Sequence, residues 1–488
     1  MTEPRYRFGP LERRGLLLGL RLGQLVSVVV GAAVAVLALA LAAAPGVAGA
    51  GVAVAAMLAG GGAAFWPLGG RSVDEWFPVA ARWAARWFAA DLRFVSRMHL
   101  QGHRWSGGAF TRLAAAPAPA FRGLSVVGAH LDGRAEMGVV RDAAAATYTA
   151  VIAVRGTGFA LLDAHAKARR LSWWGSLLDG LSREGSHMHR LQWVERSTPG
   201  SAALVDPAVG GDAGDDFPAA RSYRALLAEA APAGQRHVTY LAVQISASRS
   251  RRAVRRAGGG DAGACAVLSR EVTALWPRLV SGELLVDGVL SAGQLAGALR
   301  TAADPSVMVP DGNDLNTLDA WPSAVVSAWS FCRTASAVHA TYWIREWPRI
   351  DVGPDVLAPL LLQSTARRTV AMTMQVEPPL RAQREAEAAL TADLADEDMR
   401  QRAGFVVGFR RRREQDSVVQ RGEEIAAGHA SVRFSAYVTV SAPDVDALER
   451  ACGEVEQRAH QAHLELQRLA GEQDVALTYT LPLARGLR

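Results

Sequence analysis

Lysine is almost absent from this chain of 488 residues, for Lys167 is the single one among 53 basic residues. A Walker A loop needs Gly-x-x-x-x-Gly-Lys-Ser/Thr to cradle phosphates, and Lys167, flanked by alanines, has neither the glycine before it nor the hydroxyl residue after it. The chain therefore has no P-loop, and no kinase-type or Schiff-base lysine in a recognisable setting. Cysteine is equally scarce. Cys265, Cys332 and Cys452 lie far apart and are odd in number, which excludes a disulfide framework and a Cys-x-x-Cys zinc or redox pair. Charge is missing altogether from residues 22 to 70, between arginine-bearing flanks (Arg5, Arg7, Arg13, Arg14, Arg21 before; Arg71, Arg82, Arg86, Arg93, Arg97 after).

That uncharged block is too long for one membrane crossing, since a bilayer core takes about 20 helical residues. It predicts a two-helix transmembrane hairpin over 22–70, with spans near 24–44 and 47–66 and a turn at Pro45-Gly46. Gly60-Gly61-Gly62 lowers the helix propensity of the second span but allows close packing inside lipid. Arginine retention places both termini in the cytoplasm and the protein in the inner (cytoplasmic) membrane, with residues 1–21 as a basic cytoplasmic N-terminus. The alternative of a cleaved signal peptide, with Ala42-Ala43-Ala44 as its cleavage site, is disfavoured because a second uncharged span follows at once.

Residues 71–120 read as an interfacial amphipathic helix and a linker rich in Ala and Pro. Trp76, Trp83 and Trp87 recur at helical spacing with Arg82 and Arg86, a pattern in which tryptophan sits at headgroup level and arginine reaches lipid phosphate. The same spacing also fits a packing stripe on a soluble helix.

Behind the linker, strands and helices alternate. Strands are expected at 124–131, 135–141, 146–155, 188–196, 237–248 and 283–290, with helices at 160–181, 219–231 and 264–280. The order returns with strands at 337–347, 368–376, 431–440 and 474–481, and helices at 356–364, 380–427 and 444–470. Two α/β units follow, 121–305 and 306–488. The expected fold class is α/β (α+β), with tandem ferredoxin-like or split βαβ units and mixed strand pairing.

Charge runs supply the remaining candidates. Arg251, Arg252, Arg255 and Arg256 read as a flexible basic loop, and Arg410, Arg411, Arg412 and Arg413 as part of a long helical stretch. Each run fits a solvated face, a partner-docking surface or a nucleic-acid contact. No aromatic residue interleaves with the arginines of the first run, so single-stranded bases have no stacking platform there. His187 with His189, and His460 with His463, lack a third ligand, so no metal is assigned. Gly156-Thr157-Gly158 has leucine where a dinucleotide loop needs its third glycine, and reads as a turn. No nucleophile, base and oxyanion donors assemble. No cofactor is assigned and no catalysis expected.

The uncharged hairpin and its exit phrase Gly70-Arg71-Ser72-Val73-Asp74-Glu75-Trp76 resemble the PrgI-like two-helix inner-membrane subunit of type IV secretion systems. From about Leu124 onward the chain resembles the N-terminal, non-ATPase domain of TraC-like conjugation ATPases. The residues that carry this are Tyr148–Arg155, Tyr342–Ile350 with Trp347-Pro348, and Thr480-Leu481-Pro482-Leu483. The layout also resembles the type VII secretion component EccE, with two N-terminal helices and a cytoplasmic α/β region, and the arginine and alanine content resembles actinobacterial proteins. The resemblance implies a non-catalytic membrane scaffold, homo- or hetero-oligomeric, that docks a secretion ATPase or coupling protein supplied by another chain. A membrane-tethered nucleic-acid-binding module is the alternative from another class.

Overall fold

Alternation of apolar residues builds the main sheet, and the computed structural model describes it within residues 6, 8, 22–41, 47–68, 71–89, 91–95, 117–131, 135–156, 158–182, 185–199, 218, 222, 225–226, 235–307, 315–362, 366–402 and 409–487. The architecture is mixed α/β, with a large antiparallel sheet and 12 helices among the described residues. The chain divides into two compact units. One takes residues 1–8, 92–379 and 429–488, and the other residues 9–91 and 380–428.

The second unit is mostly helical. Its first two helices, α1 (Leu22–Leu41) and α2 (Val47–Phe65), are uncharged throughout. A pair of two-residue strands, β1 (Pro67–Leu68) and β2 (Arg71–Ser72), leads into α3 (Val73–Phe88). Later in the chain come α9 (Pro379–Arg402) and α10 (Phe409–Ala426), which cover the described residues of the expected helical stretch at 380–427 up to Ala426.

The first unit carries a 13-stranded sheet in which every pairing is antiparallel, not mixed. Its chain order opens with β3 (Arg93–Val95), β4 (Leu124–Leu131), β5 (Ala135–Asp142) and β6 (Thr147–Arg155). Helix α4 (Ala164–Ser182) leads to β7 (Met188–Pro199) and β8 (Gln235–Ser246). Helices α5 (Arg251–Arg256) and α6 (Gly260–Ser281), strand β9 (Leu285–Val289) and helix α7 (Ala292–Ala303) close this half. The expected helix at 219–231 falls largely outside the described residues.

The second half repeats the pattern. It runs through β10 (Ala324–Ser327), β11 (Cys332–Thr334), β12 (Val338–Glu346), α8 (Ala358–Leu362) and β13 (Arg368–Val376). After α9 and α10 come β14 (Val432–Ala442), α11 (Val445–Gln461), β15 (Glu465–Arg468) and α12 (Gln473–Leu477). In the first half the strands lie in the order β9-β6-β8-β7, and in the second β15-β12-β14-β13. Those are equivalent orders. Each half also begins with a hairpin whose second strand pairs with the opening residues of β6 or β12, and ends with a helix, α7 or α12. The two halves meet where β7 pairs with β13 from Leu191↔Met374 to Ser197↔Arg368. Strands β7 and β13, which hold the same place in the two orders, thus join the halves into one sheet.

Period-two alternation gives the sheet two faces. One is apolar: Ile152, Leu241, Leu191, Met374, Val438 and Tyr342 pack under α4 and α6 in the first half and under α8 and α11 in the second. At roughly 25 cal/mol per Å² of apolar surface removed from water, this face is the chief source of stability. The sole lysine ties the halves together. Its Nζ, on α4, lies 2.6 Å from an Asp355 carboxylate oxygen of the second half, with the Phe159 ring 5.9 Å away.

Three sequence expectations are corrected here. The stretch expected as one helix over 444–470 stops at Gln461, because His463 takes a left-handed backbone (φ 54°) and turns the chain into β15. The strand expected at 474–481 is instead α12 followed by turns and bends, since its apolar residues Leu477 and Leu481 bury against strand faces, not along an edge. The segment at 251–256 is the helix α5, not a loop, stopped by Gly258, Gly259 and Gly260, all at positive φ.

Candidate functional site

Small side chains bring α1 and α2 together. A Cβ added at Gly31 would stand 3.0 Å from both Ala56 O and Gly60 Cα, and one added at Gly60 would stand 2.9 Å from Ser27 O and 3.0 Å from Gly31 Cα. The backbones cross at these glycines. Around the crossing, large apolar side chains point outward, among them Val29, Leu37, Val54 and Leu58, each more than half exposed. Such a surface is unfavourable in water and neutral in hydrocarbon. Among the described residues one stretch, Gly23–Ala40, is long and apolar enough to cross a membrane, and Ala50–Gly62 of α2 is a shorter apolar stretch. Gly60→Leu is expected to cost about 1–3 kcal/mol by forcing the helices apart. It should lower the SDS fraction at which the detergent-solubilised chain half-unfolds, while Gly61→Leu, whose added Cβ meets nothing within 4 Å, leaves it unchanged.

Helix α3 packs on this pair with one face and leaves the other open. Trp76, Val79, Trp83 and Arg86 recur at i, i+3, i+7 and i+10, and all four are buried or half-buried. The Arg71 guanidinium, 6% exposed, lies 5.0 Å from the Trp76 ring centre. Outward stand Phe77 (74% exposed), Trp87 (58%) and Phe88 (80%), with Arg82 bonding back to Pro78 O at 3.0 Å. The structure thus separates the five residues that spacing had joined: Trp76, Trp83 and Arg86 face inward, Arg82 and Trp87 outward. Phe77 and Phe88, overlooked because only tryptophans were followed, are eleven residues apart and so share a face.

The arginine runs lie on other helices. Arg251, Arg252, Arg255 and Arg256 are exposed on α5, anchored by buried Val254. Arg410, Arg411, Arg412 and Arg413 fall within α10, and their side chains lie outside the described residues. Of the histidines, His187 gives its backbone N–H to Glu271 at 3.0 Å, while His463 ends α11 by a backbone bond to His460.

The sheet's other face was not anticipated as a site. Helix α7 packs on part of this face, and beside it polar side chains line a trough across the strands: Thr149, Gln244, Gln192, Thr373, Thr439 and Thr341, all buried. The chain's own segment 478–487 lies in it. Gln192 donates to Tyr479 O and accepts from Ala484 N, both at 2.8 Å. Gln244 donates to Leu483 O at 3.0 Å, and the Thr373 hydroxyl to Arg485 O at 2.9 Å. Thr480 and Thr439 share a 2.7 Å bond that continues to Thr341. Arg485 reaches Asp142 at 2.6 Å and Ala120 O at 3.2 Å, fastening the segment to β5. Tyr437 donates to Gly486 O. Gln192, Gln244, Thr373 and Tyr437 thus answer backbone groups of the segment, which satisfies polar atoms that would otherwise each cost about 1–3 kcal/mol.

Beside the trough, Arg196 is half-buried and donates to Ala298 O at 2.9 Å and to the Thr301 hydroxyl at 3.1 Å. Burial depresses its affinity for a proton, opposed by Tyr240 and reinforced by Arg367. Its placement at the last turn of α7 suits a cation, where the helix dipole is negative. Among the described residues, no group of three His, Cys, Asp or Glu side chains could hold a metal ion. Neither the family models nor the curated proteins compared with this chain match it.

Proposed function

We propose that this chain is a membrane-anchored scaffold of a conjugation-type secretion apparatus, in which α1 and α2 form a transmembrane hairpin with both termini cytoplasmic. The hairpin reading is supported by the outward apolar side chains of both helices and by the glycine crossing that closes them. The exposed Phe77, Trp87 and Phe88 would lie at headgroup level, the depth aromatic rings favour. In the main sheet, the orders β9-β6-β8-β7 and β15-β12-β14-β13, each with helices after its first and third strands, support two ferredoxin-like βαββαβ units in tandem.

One observation carries the docking role. Both faces of the sheet pack against segments of the same chain, whereas the highly charged helices α9 and α10 are inserted between adjacent strands β13 and β14 and belong to the helical unit. An insertion of that kind leaves the sheet's pairing intact and is free to specialise for a partner. The partner is a separate secretion ATPase or coupling protein.

Two measurements test this. An impermeant thiol reagent should label Gly46→Cys in intact cells and Arg488→Cys only after lysis; labelling of the latter from outside overturns the topology. The detergent-solubilised complex should co-purify with a P-loop ATPase, identified by mass spectrometry, and lose it when residues 380–428 are replaced by a short linker. Recovery that is the same with and without the insertion refutes the docking role.

The aromatic face gives a further expectation. A spin label at Phe88→Cys in nanodiscs should show headgroup-level accessibility to oxygen and nickel chelate, while a label at Arg252→Cys, exposed on α5, reads as fully aqueous.

A further inference from the structure

Three arginines and a histidine gather at the start of β7. Arg190 pairs across the sheet with Gln244 on β8, and its Nε lies 3.4 Å from Gln375 Oε1 on β13. Gln375 is in turn the cross-strand partner of Arg433 on β14. Arg249, in the turn that follows β8, donates from Nη1 to His189 Nδ1 at 2.8 Å. Arg190 Nη1 also donates to Ala484 O at 3.2 Å. None of the three guanidinium groups has an ion pair with a carboxylate among the described residues.

Such a gathering is unfavourable as it stands. Burial first, then Arg190, Arg249 and Arg433, depresses the His189 imidazole to about 4, so it is neutral near pH 7. Arg190 is pushed down too, by burial and then by Arg433 and Arg249. Like charges held together without a counter-ion repel one another, and an anion placed among them reverses the sign of each interaction. The hydrogen bonds also leave donors. With Nδ1 accepting from Arg249, the imidazole proton rests on Nε2, and Arg190 Nη2 makes no hydrogen bond among the described residues. Arg249 and Arg433 are exposed, so their forks are open to a ligand. The site offers donors and positive charge, which fits a tetrahedral oxyanion, and arginine forks match phosphate oxygens two at a time. Exposed Arg251 and Arg252 of α5, just beyond Ser250, extend the positive field.

We propose that His189, Arg190, Arg249 and Arg433 form a binding site for a phosphate group, carried either by inorganic phosphate or by a phospholipid headgroup. The site is independent of the secretion reading.

Isothermal titration calorimetry of the full chain in detergent tests it, with inorganic phosphate against sodium chloride at equal ionic strength. Short-chain phosphatidic acid and phosphatidylcholine serve as the lipid probes. Saturable binding of phosphate is expected, weakened about 10-fold or more in Arg249→Gln/Arg433→Gln. These two side chains are exposed, and an unchanged thermal midpoint without phosphate shows that the variant folds. Phosphatidic acid binding more tightly than phosphate identifies a lipid headgroup as the source; equal affinities identify the phosphate group alone. Absence of saturable binding to both probes, equal affinities of wild type and variant, or binding confined to duplex DNA each overturns the proposal.

Discussion

Gln192→Ala is expected to destabilise the protein by about 2–5 kcal/mol, because it strips partners from two buried backbone groups at once, each costing about 1–3 kcal/mol when unsatisfied. The side chain is 0% exposed and grips Tyr479 O with its amide and Ala484 N with its carbonyl, a pairing that fixes both ends of the turn at Leu481 and Leu483. Releasing that grip also loosens what lies on either side. The Gln244 bond to Leu483 O and the Arg485 pair with Asp142 depend on the same path of the segment. Urea unfolding of the full chain in detergent measures the loss as a lower midpoint with unchanged slope. Thr373→Val removes one hydroxyl bond, to Arg485 O, and should cost nearer 1 kcal/mol. If Gln192→Ala cost no more than Thr373→Val, the segment would be resting on the sheet rather than held by it.

That segment also marks where sequence reasoning stopped. Strand β13 was read at its observed bounds, Arg368–Val376, because its residues alternate and both neighbours are long strands that bury it on two sides. The two uncharged helices were equally plain, since aliphatic and small residues run on either side of the helix-stopping pair Pro45-Gly46. The end of the chain misled because Val475, Leu477, Tyr479 and Leu481 alternate as a strand would, yet only tertiary packing shows Leu477 and Leu481 buried beside Phe121 and Val140. Pairing of β7 with β13 was hidden for a related reason. Partners 171 to 183 residues apart leave no local trace, and nothing in an edge strand's composition says which other edge it meets. Of the site residues, the tryptophans of α3 were found and then grouped wrongly, since a ring that packs inward and a ring that faces outward obey the same spacing. The cluster of His189, Arg190, Arg249 and Arg433 comes from three separated segments, so no motif could have announced it. His187 and His189 had been weighed together for a metal, whereas the structure gives His189 an arginine for a neighbour.

Acidification is expected to weaken the fold between about pH 6.5 and 4, and His339 supplies the clearest reason. Its ring is 0% exposed between strands and α7, with Nδ1 2.8 Å from the Ser441 hydroxyl and Nε2 2.9 Å from Ala303 O and 3.1 Å from the Thr334 hydroxyl. Burial lowers its pKa to about 4, outweighing the Ala303 carbonyl and Asp304, which favour the charged form. In the unfolded chain the same group titrates near 6.5. Between those values the unfolded state binds a proton that the folded state refuses, so stability falls as pH drops through this window and is level above it. For a shift of this size the full loss is on the order of 3 kcal/mol. His189, depressed to a similar value, acts in the same direction. Urea midpoints at a series of pH values test the expectation, and His339→Gln separates its source: glutamine can still bond Ser441 and Ala303 O but does not titrate. The slope between pH 6.5 and 5 should flatten by about half in that variant and more when His189→Gln is added. Carboxylates held by arginine, such as Glu449 beside Arg468, lose their charge only below the ordinary carboxylate range, so they leave that upper window to the histidines. An unaltered slope in the double variant would mean that neither imidazole is kept neutral by the fold.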